Sequence, residues 1–156
     1  MMTTEYILFQ AKDFSIQKPT DWLVQKKDEH HIAFIGPKVG PLHAGFFITV
    51  LENHEGGYLA AAKEAGALQV KQAKYHIIEE QDVSKEKFDA VMRYATWYNR
   101  TQDLMMYARE IYTERNGKVY VLSSSVPNTP HLQMFDNVFI YMFNSFKYNR
   151  LNVNND

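Results

Sequence analysis

The six histidines are the first residues in this sequence able to do chemistry. His30 and His31 are adjacent. On an extended strand adjacent side chains point to opposite faces, so this pair cannot chelate one ion without a special turn. An exposed polar turn is the simpler reading. His43 and His54 fall in loop-like sequence, and His54 precedes Glu55-Gly56-Gly57. His76 sits in a strand pattern and His131 near a helix start, where packing or solvation accounts for them. No His-x-x-x-His or Glu-x-x-His spacing gathers ligands on a helix face. The sequence therefore predicts no metal site.

Other polar runs resolve in the same way. Ser123-Ser124-Ser125 lacks the Gly-x-Ser-x-Gly turn of a nucleophile elbow and reads as polar residues ending a strand. Glu79-Glu80 and Asp82 form an acidic patch. Paired carboxylates do acid–base work only in a cleft that shifts their pKa, so a solvated strand edge is the default reading. Gly36-Pro37-Lys38-Val39-Gly40 is not a phosphate-binding P-loop, because the Gly-Lys-Ser/Thr ending is missing. No catalytic residue and no cofactor site are expected.

The aromatic residues carry more information. Tyr94, Trp97, Tyr98, Tyr107, Tyr112 and Tyr120 lie on neighbouring strand-like segments. Strand alternation buries one set and exposes another. An exposed Tyr or Trp on a sheet suits protein or ligand contact, because it joins apolar area to a polar handle. Cross-strand packing beneath a helix is the competing account. Arg93 shares a face with Val91, Ala95 and Trp97, where it could stack on a ring or meet an acidic group. The candidate partner-binding surface read from sequence is Arg93, Trp97, Tyr98, Tyr107 and Tyr112.

The elements that must position these residues follow from periodicity. Phe14–Gln17 and Trp22–Gln25 read as strands separated by a turn at Pro19. Lys26–His30 reads as a turn, Ile32–Ile35 as a short strand and Gly36–Pro41 as a loop. Gly45–Leu51 is a buried strand, and Tyr58 to about Gln72 is rich in helix formers. Strand candidates follow at Tyr75–Glu80, Phe88–Tyr98, Leu104–Thr113 and Lys118–Ser123. Asn116-Gly117 is a strong hairpin signal, since a type I′ turn needs positive φ at both central residues. Consecutive strands with short connections make an antiparallel meander. A closing helix is predicted over Pro130–Tyr148, capped by Thr129. Its stripe of Leu132, Phe135, Phe139, Met142 and Phe146 must dock on a sheet or a partner.

Composition sets the outer bounds. The chain has 156 residues, 46% of them hydrophobic and 14% aromatic, enough for one packed core. Seventeen Lys and Arg against 18 Asp and Glu leave a net charge of -1. Such a balance carries no electrostatic footprint for nucleic acid and no basic cluster aimed at anionic lipid. Without cysteine there is no disulfide, thiolate nucleophile or Cys-ligated zinc. The segment Met1–Phe9 lacks a signal-peptide pattern, and no apolar run approaches the roughly 20 residues of a membrane helix. A cytoplasmic protein with no membrane insertion is expected.

Phe14-Ser15-Ile16-x-x-Pro19-x-x-Trp22 resembles the opening of the PsbP-like superfamily, which includes PsbP of photosystem II, the Ran-binding Mog proteins and the Eag-type chaperones of type VI secretion. The resemblance runs through the helix after Gly57, the Gly117-x-x-Tyr120-Val121-Leu122 strand and the terminal Asn144-Ser145-Phe146-Lys147, spanning about Asp13 to Tyr148. It implies an α+β fold, an α/β/α sandwich around a central antiparallel sheet of about six or seven strands. It also implies a non-catalytic protein-binding, assembly or chaperone-like role, with a protein partner that could be an apolar client segment. The expectation is thus a single domain over residues 1–148, a frayed tail over 149–156, and a possible homodimer. The alternative is a small-molecule binder or enzyme with a pocket between sheet and helix.

Overall fold

The computed structural model describes residues 4–150. Strands β1 (Tyr6–Gln10), β2 (Phe14–Pro19), β3 (Leu23–Asp28), β4 (His31–Val39) and β5 (Leu42–Glu52) precede helix α1 (Gly57–Gln69). Strands β6 (His76–Asp82), β7 (Ala90–Asn99), β8 (Leu104–Arg115) and β9 (Lys118–Pro127) follow. Helix α2 (Leu132–Ser145) and the short β10 (Lys147–Tyr148) complete the fold.

Seven strands form one antiparallel sheet in the order β3-β4-β5-β9-β8-β7-β6, and β1-β2-β10 form a second, smaller sheet. The architecture is an α+β sandwich. The β8–β9 turn is the one expected from Asn116-Gly117, with φ of 55° and 77°. The chain enters the large sheet at one edge and reaches its third position at β5. It then crosses to the far edge through α1 and returns inward along β6, β7, β8 and β9.

The two helices pack on opposite faces. The face toward α2 carries Phe34, Phe46, Ile48, Tyr120 and Leu122. Against them α2 buries Phe135, Val138, Phe139, Met142 and Phe143, with Phe14 and Ile16 of β2 sealing the side. Burying each large side chain is worth about 1.5–3 kcal/mol. Trp22 meets Phe139 edge-on at 5.9 Å. It lies flat on Gly36, where an added Cβ would fall 2.7 Å from the indole. The opposite face is thinner, with only Ala61 and Ala62 of α1 fully buried, against Tyr112 and Val119. Helix α1 lies over β7, β8 and β9, whereas α2 lies over β9 and β2. The helices are therefore staggered, and each leaves part of its face of the sheet bare.

Several local expectations change. Gly36-Pro37 is not a loop but lies inside β4, at a register shift between Ile35 and Lys38 that seats the Trp22 ring. The turn is confined to Gly40-Pro41. The serine run lies within β9, which continues to Pro127. Helix α2 starts at Leu132, because Thr129 Oγ1 accepts the His131 N–H at 3.2 Å and holds a turn there. It ends at Ser145. Phe146 is extended, so that Tyr148 can pair with Phe14 of β2. Strands β1 and β10 carry weak patterns and are visible only as partners of β2. Asn149, placed in the tail by sequence, donates from its side chain to the carbonyls of Ala11 and Lys12 at 2.9 and 2.7 Å. The rest of that expected tail, from residue 151, lies outside the described residues.

Candidate functional site

Alternation distributes the five sequence-selected residues over both faces. Arg93, Trp97 and Tyr112 point toward the α1 side, and Tyr98 and Tyr107 toward the other. Arg93 and Tyr112 are buried. Arg93 Nη2 donates to the Ala62 carbonyl of α1 at 3.1 Å and lies 3.4 Å from both Glu110 Oε1 and the Tyr112 hydroxyl. Its Nη1 is 3.6 Å from Glu80 Oε2. Gly66 makes room for this arginine, since a Cβ there would sit 3.1 Å from Nη1. Glu110 also accepts two hydrogen bonds from Gln69 Nε2, at 2.7 and 2.8 Å. Together these groups clamp α1 to the sheet, and burial pushes the Tyr112 hydroxyl well above its ordinary pKa. Trp97 is half-buried opposite Met106. Tyr98 donates to Asp103, and Lys74 lies over its ring at 4.7 Å.

The histidines are held by separate partners. His30 meets Glu52 at 2.6 Å, His31 meets Asp28 at 3.0 Å and His54 meets Glu64 at 3.1 Å. The N–H of His30 and the His31 ring hold Asp28 below the usual carboxylate range, and the His30 ring does the same for Glu52. Among the described residues no group of three or more His, Asp or Glu is placed to hold a metal ion.

A concavity lies where α2 does not reach. A cleft of about 870 Å³ opens between β7 and β8 on one side and the end of α2 with β10 on the other. Met92 and Ile111 form its floor, Phe143, Phe146 and Tyr148 one wall, and Ile140 and Phe88 its lips. The loop from Val83 to Phe88 closes one end, pinned where Lys85 and Phe88 exchange backbone hydrogen bonds at 2.8 and 2.9 Å. Lys85, Lys87, Arg109, Arg115 and Lys147 line the cleft against only Glu86 and Glu114.

Arg109 sits at an inward position of β8, in the series Tyr107, Arg109, Ile111, Thr113. Its guanidinium lies 4.1 Å from the centroid of Tyr94, and Nη1 approaches the Met92 sulfur at 4.0 Å. Its buried Nε has no hydrogen-bond partner. The ion pairs found among the described residues engage Arg93, Lys118 and three histidines, not Arg109. Asp136 of α2 faces this group and accepts a 3.4 Å hydrogen bond from the Tyr94 hydroxyl. Burial raises the Asp136 pKa against the pull of Arg109, and it pushes Tyr94 up to about 12.

Sequence reasoning about chemistry passed over Arg109, Lys85 and Lys87. A usable signal was present, namely a charged residue at an inward slot of an alternating strand, beside an apolar one.

No protein-family model matches this chain, and no curated protein matches it by sequence. Solved structures do match. The Ran-binding protein Mog1p of Saccharomyces cerevisiae superposes with a TM-score of 0.65 at 8% identity, over 93% of this chain and 96% of that one. LpqN of Mycobacterium tuberculosis, involved in cell envelope biogenesis, gives 0.64 at 8% identity over 96% and 93%. The cyanobacterial PsbP of Synechocystis gives 0.60 at 9% identity, covering 95% of each chain. The fold is thus of the PsbP/Mog type, as the sequence resemblance implies. Among the described residues no helix is long and apolar enough to cross a membrane.

Proposed function

We propose that residues 1–148 form a non-catalytic binding module that takes a segment of a protein partner in the cleft between β7–β8 and α2. One observation carries this reading: the cleft is an open trough with an apolar floor and a mostly cationic rim. Exposed apolar concavities rimmed by polar groups mark interaction sites. The PsbP/Mog-type fold of Mog1p, a Ran-binding protein, supports a protein partner by analogy of fold alone. Of the residues selected by sequence, Tyr107 and Tyr98 share the cleft's sheet face and are proposed to extend it along β8 and β7. Trp97 flanks the other face, while Arg93 and Tyr112 support α1.

The test is site-specific photo-crosslinking in the source cells. A photoreactive residue at Phe88 or Ile140 is expected to form an adduct with a defined protein. The same residue at Leu23, which is 67% exposed on β3, is expected to form none. No adduct at the cleft, or an equal yield at Leu23, overturns the reading.

The cleft's volume also favours a second reading, a small-molecule binder, because ligand pockets span roughly 300–1,000 Å³. That reading predicts a small molecule that co-purifies with the folded chain and leaves on Phe88→Glu substitution, with no protein adduct at either lip.

A further inference from the structure

The charges around the cleft specify its occupant more narrowly than its shape does. Arg109 is half-buried in an apolar setting and makes no ion pair among the described residues. A partly buried cation gains more from an incoming carboxylate than a fully solvated one does. Its guanidinium presents planar donors that match a carboxylate. Asp136 offsets part of the charge, and one of its two oxygens accepts from the Tyr94 hydroxyl.

Of the remaining cations, Arg115 already donates to the Asn149 carbonyl at 2.8 Å. Lys85 and Lys87 lie on the loop before β7 and Lys147 on β10, all exposed and outside the ion pairs found. A single-headed amphiphile would use one such group. A segment with several carboxylates would use them together, and the apolar floor of Met92 and Ile111 calls for aliphatic side chains between them.

We propose that the cleft binds an acidic, aliphatic peptide segment of the partner, with one carboxylate seated on Arg109 and others facing Lys85 and Lys87. This rests on the protein-binding reading above and adds the chemistry of the bound segment.

The probe is the fluorescein-labelled peptide Leu-Asp-Glu-Leu-Leu-Asp-Glu-Leu, titrated with the folded chain by fluorescence anisotropy. Its counterpart carries asparagine and glutamine in place of the acids, and dodecanoate serves as the competing amphiphile. The acidic peptide is expected to bind at least about tenfold tighter than the amide peptide, as befits a hydrogen bond to a charged group. Arg109→Met should remove most of that preference and leave the smaller part due to Lys85 and Lys87. The double change Lys85→Gln with Lys87→Gln, on an exposed loop, should weaken binding about threefold and flatten its salt dependence. It decides the question if Arg109→Met does not fold. Equal affinity for the two peptides, or indifference to both sets of substitutions, overturns the proposal. Tight dodecanoate binding without peptide binding overturns it in favour of a small amphiphile. An adduct at Phe88 together with equal peptide affinities would sink this inference and leave the protein-binding reading standing.

Discussion

On one face of the seven-stranded sheet, α2 presses five buried side chains, three of them phenylalanines, into an aromatic core. On the other, α1 buries two alanines and is held by Arg93, Glu110 and Gln69. The bare halves differ as well. Beside α2 the open part is the deep cleft with its cationic rim. Beside α1 the open part is the outer face of β3, β4 and β5. Phe47 there lies over Gly45, where a Cβ would meet its ring at 2.6 Å, within a shallower trough of about 620 Å³ edged by Lys26, Lys27 and His31. The contrast teaches that a helix docked by large side chains stands off the sheet and leaves depth at its flank. A helix docked by alanines sits close, and the hollow at its own edge is smaller, about 480 Å³.

The strongest challenge to this contrast is Phe139→Ala. Phe139 is 1% exposed, and its removal should cost about 3–5 kcal/mol in chemical denaturation. Arg93→Ala should cost less, about 2 kcal/mol, because it strands the Ala62 carbonyl and takes the cation from Glu110, which keeps Gln69, but empties little volume. A larger loss from Arg93→Ala than from Phe139→Ala would reverse the assignment of plug and clamp. Gly66→Ala sharpens the clamp further. Alanine is favoured in a helix by about 1 kcal/mol, yet here its Cβ crowds Arg93. The full gain should therefore appear only in the Arg93→Ala background, and an equal effect in both backgrounds would deny the contact.

Titration probes the α2 side. The Tyr94 pKa in the fold lies above its ordinary value of 10, at about 12, chiefly through burial. The stability tied to its neutral form is thus complete below pH 10 and is lost as pH rises toward 12. Tyr94→Phe should flatten that decline, as read by denaturation across this window. The smallest effect belongs to Leu23→Lys on the exposed β3, which should leave stability within about 0.5 kcal/mol. A larger loss would mean that the bare face near β3 contributes to the fold.

How much of this was legible depends on how far apart the deciding residues lie in sequence. Asn116-Gly117 announces its turn because positive φ is a property of the residues themselves. The Phe135, Phe139 and Met142 stripe announces a docked helix through its spacing. Gly36-Pro37 misleads, because only the distant Trp22 explains why a strand passes through it. The five residues chosen as a surface shared a segment of sequence but not a face. Arg93 went under α1 because Gly66, 27 positions earlier, leaves the space.

The sequence by itself determined the class of the protein: a cysteine-free α+β chain with an antiparallel meander, a hairpin at Asn116-Gly117 and an aromatic closing helix. Those features rest on local propensity and short-range period. Only the tertiary structure decided where the helices sit, which face each covers and which charges remain unpaired. The α1 crossover carries the chain from the interior strand β5 to the far edge at β6, and β2 draws the end of α2 toward itself through Phe14 and Tyr148. The cleft is the space these two long-range placements leave between them, so Arg109 becomes a candidate anchor only once both are in position.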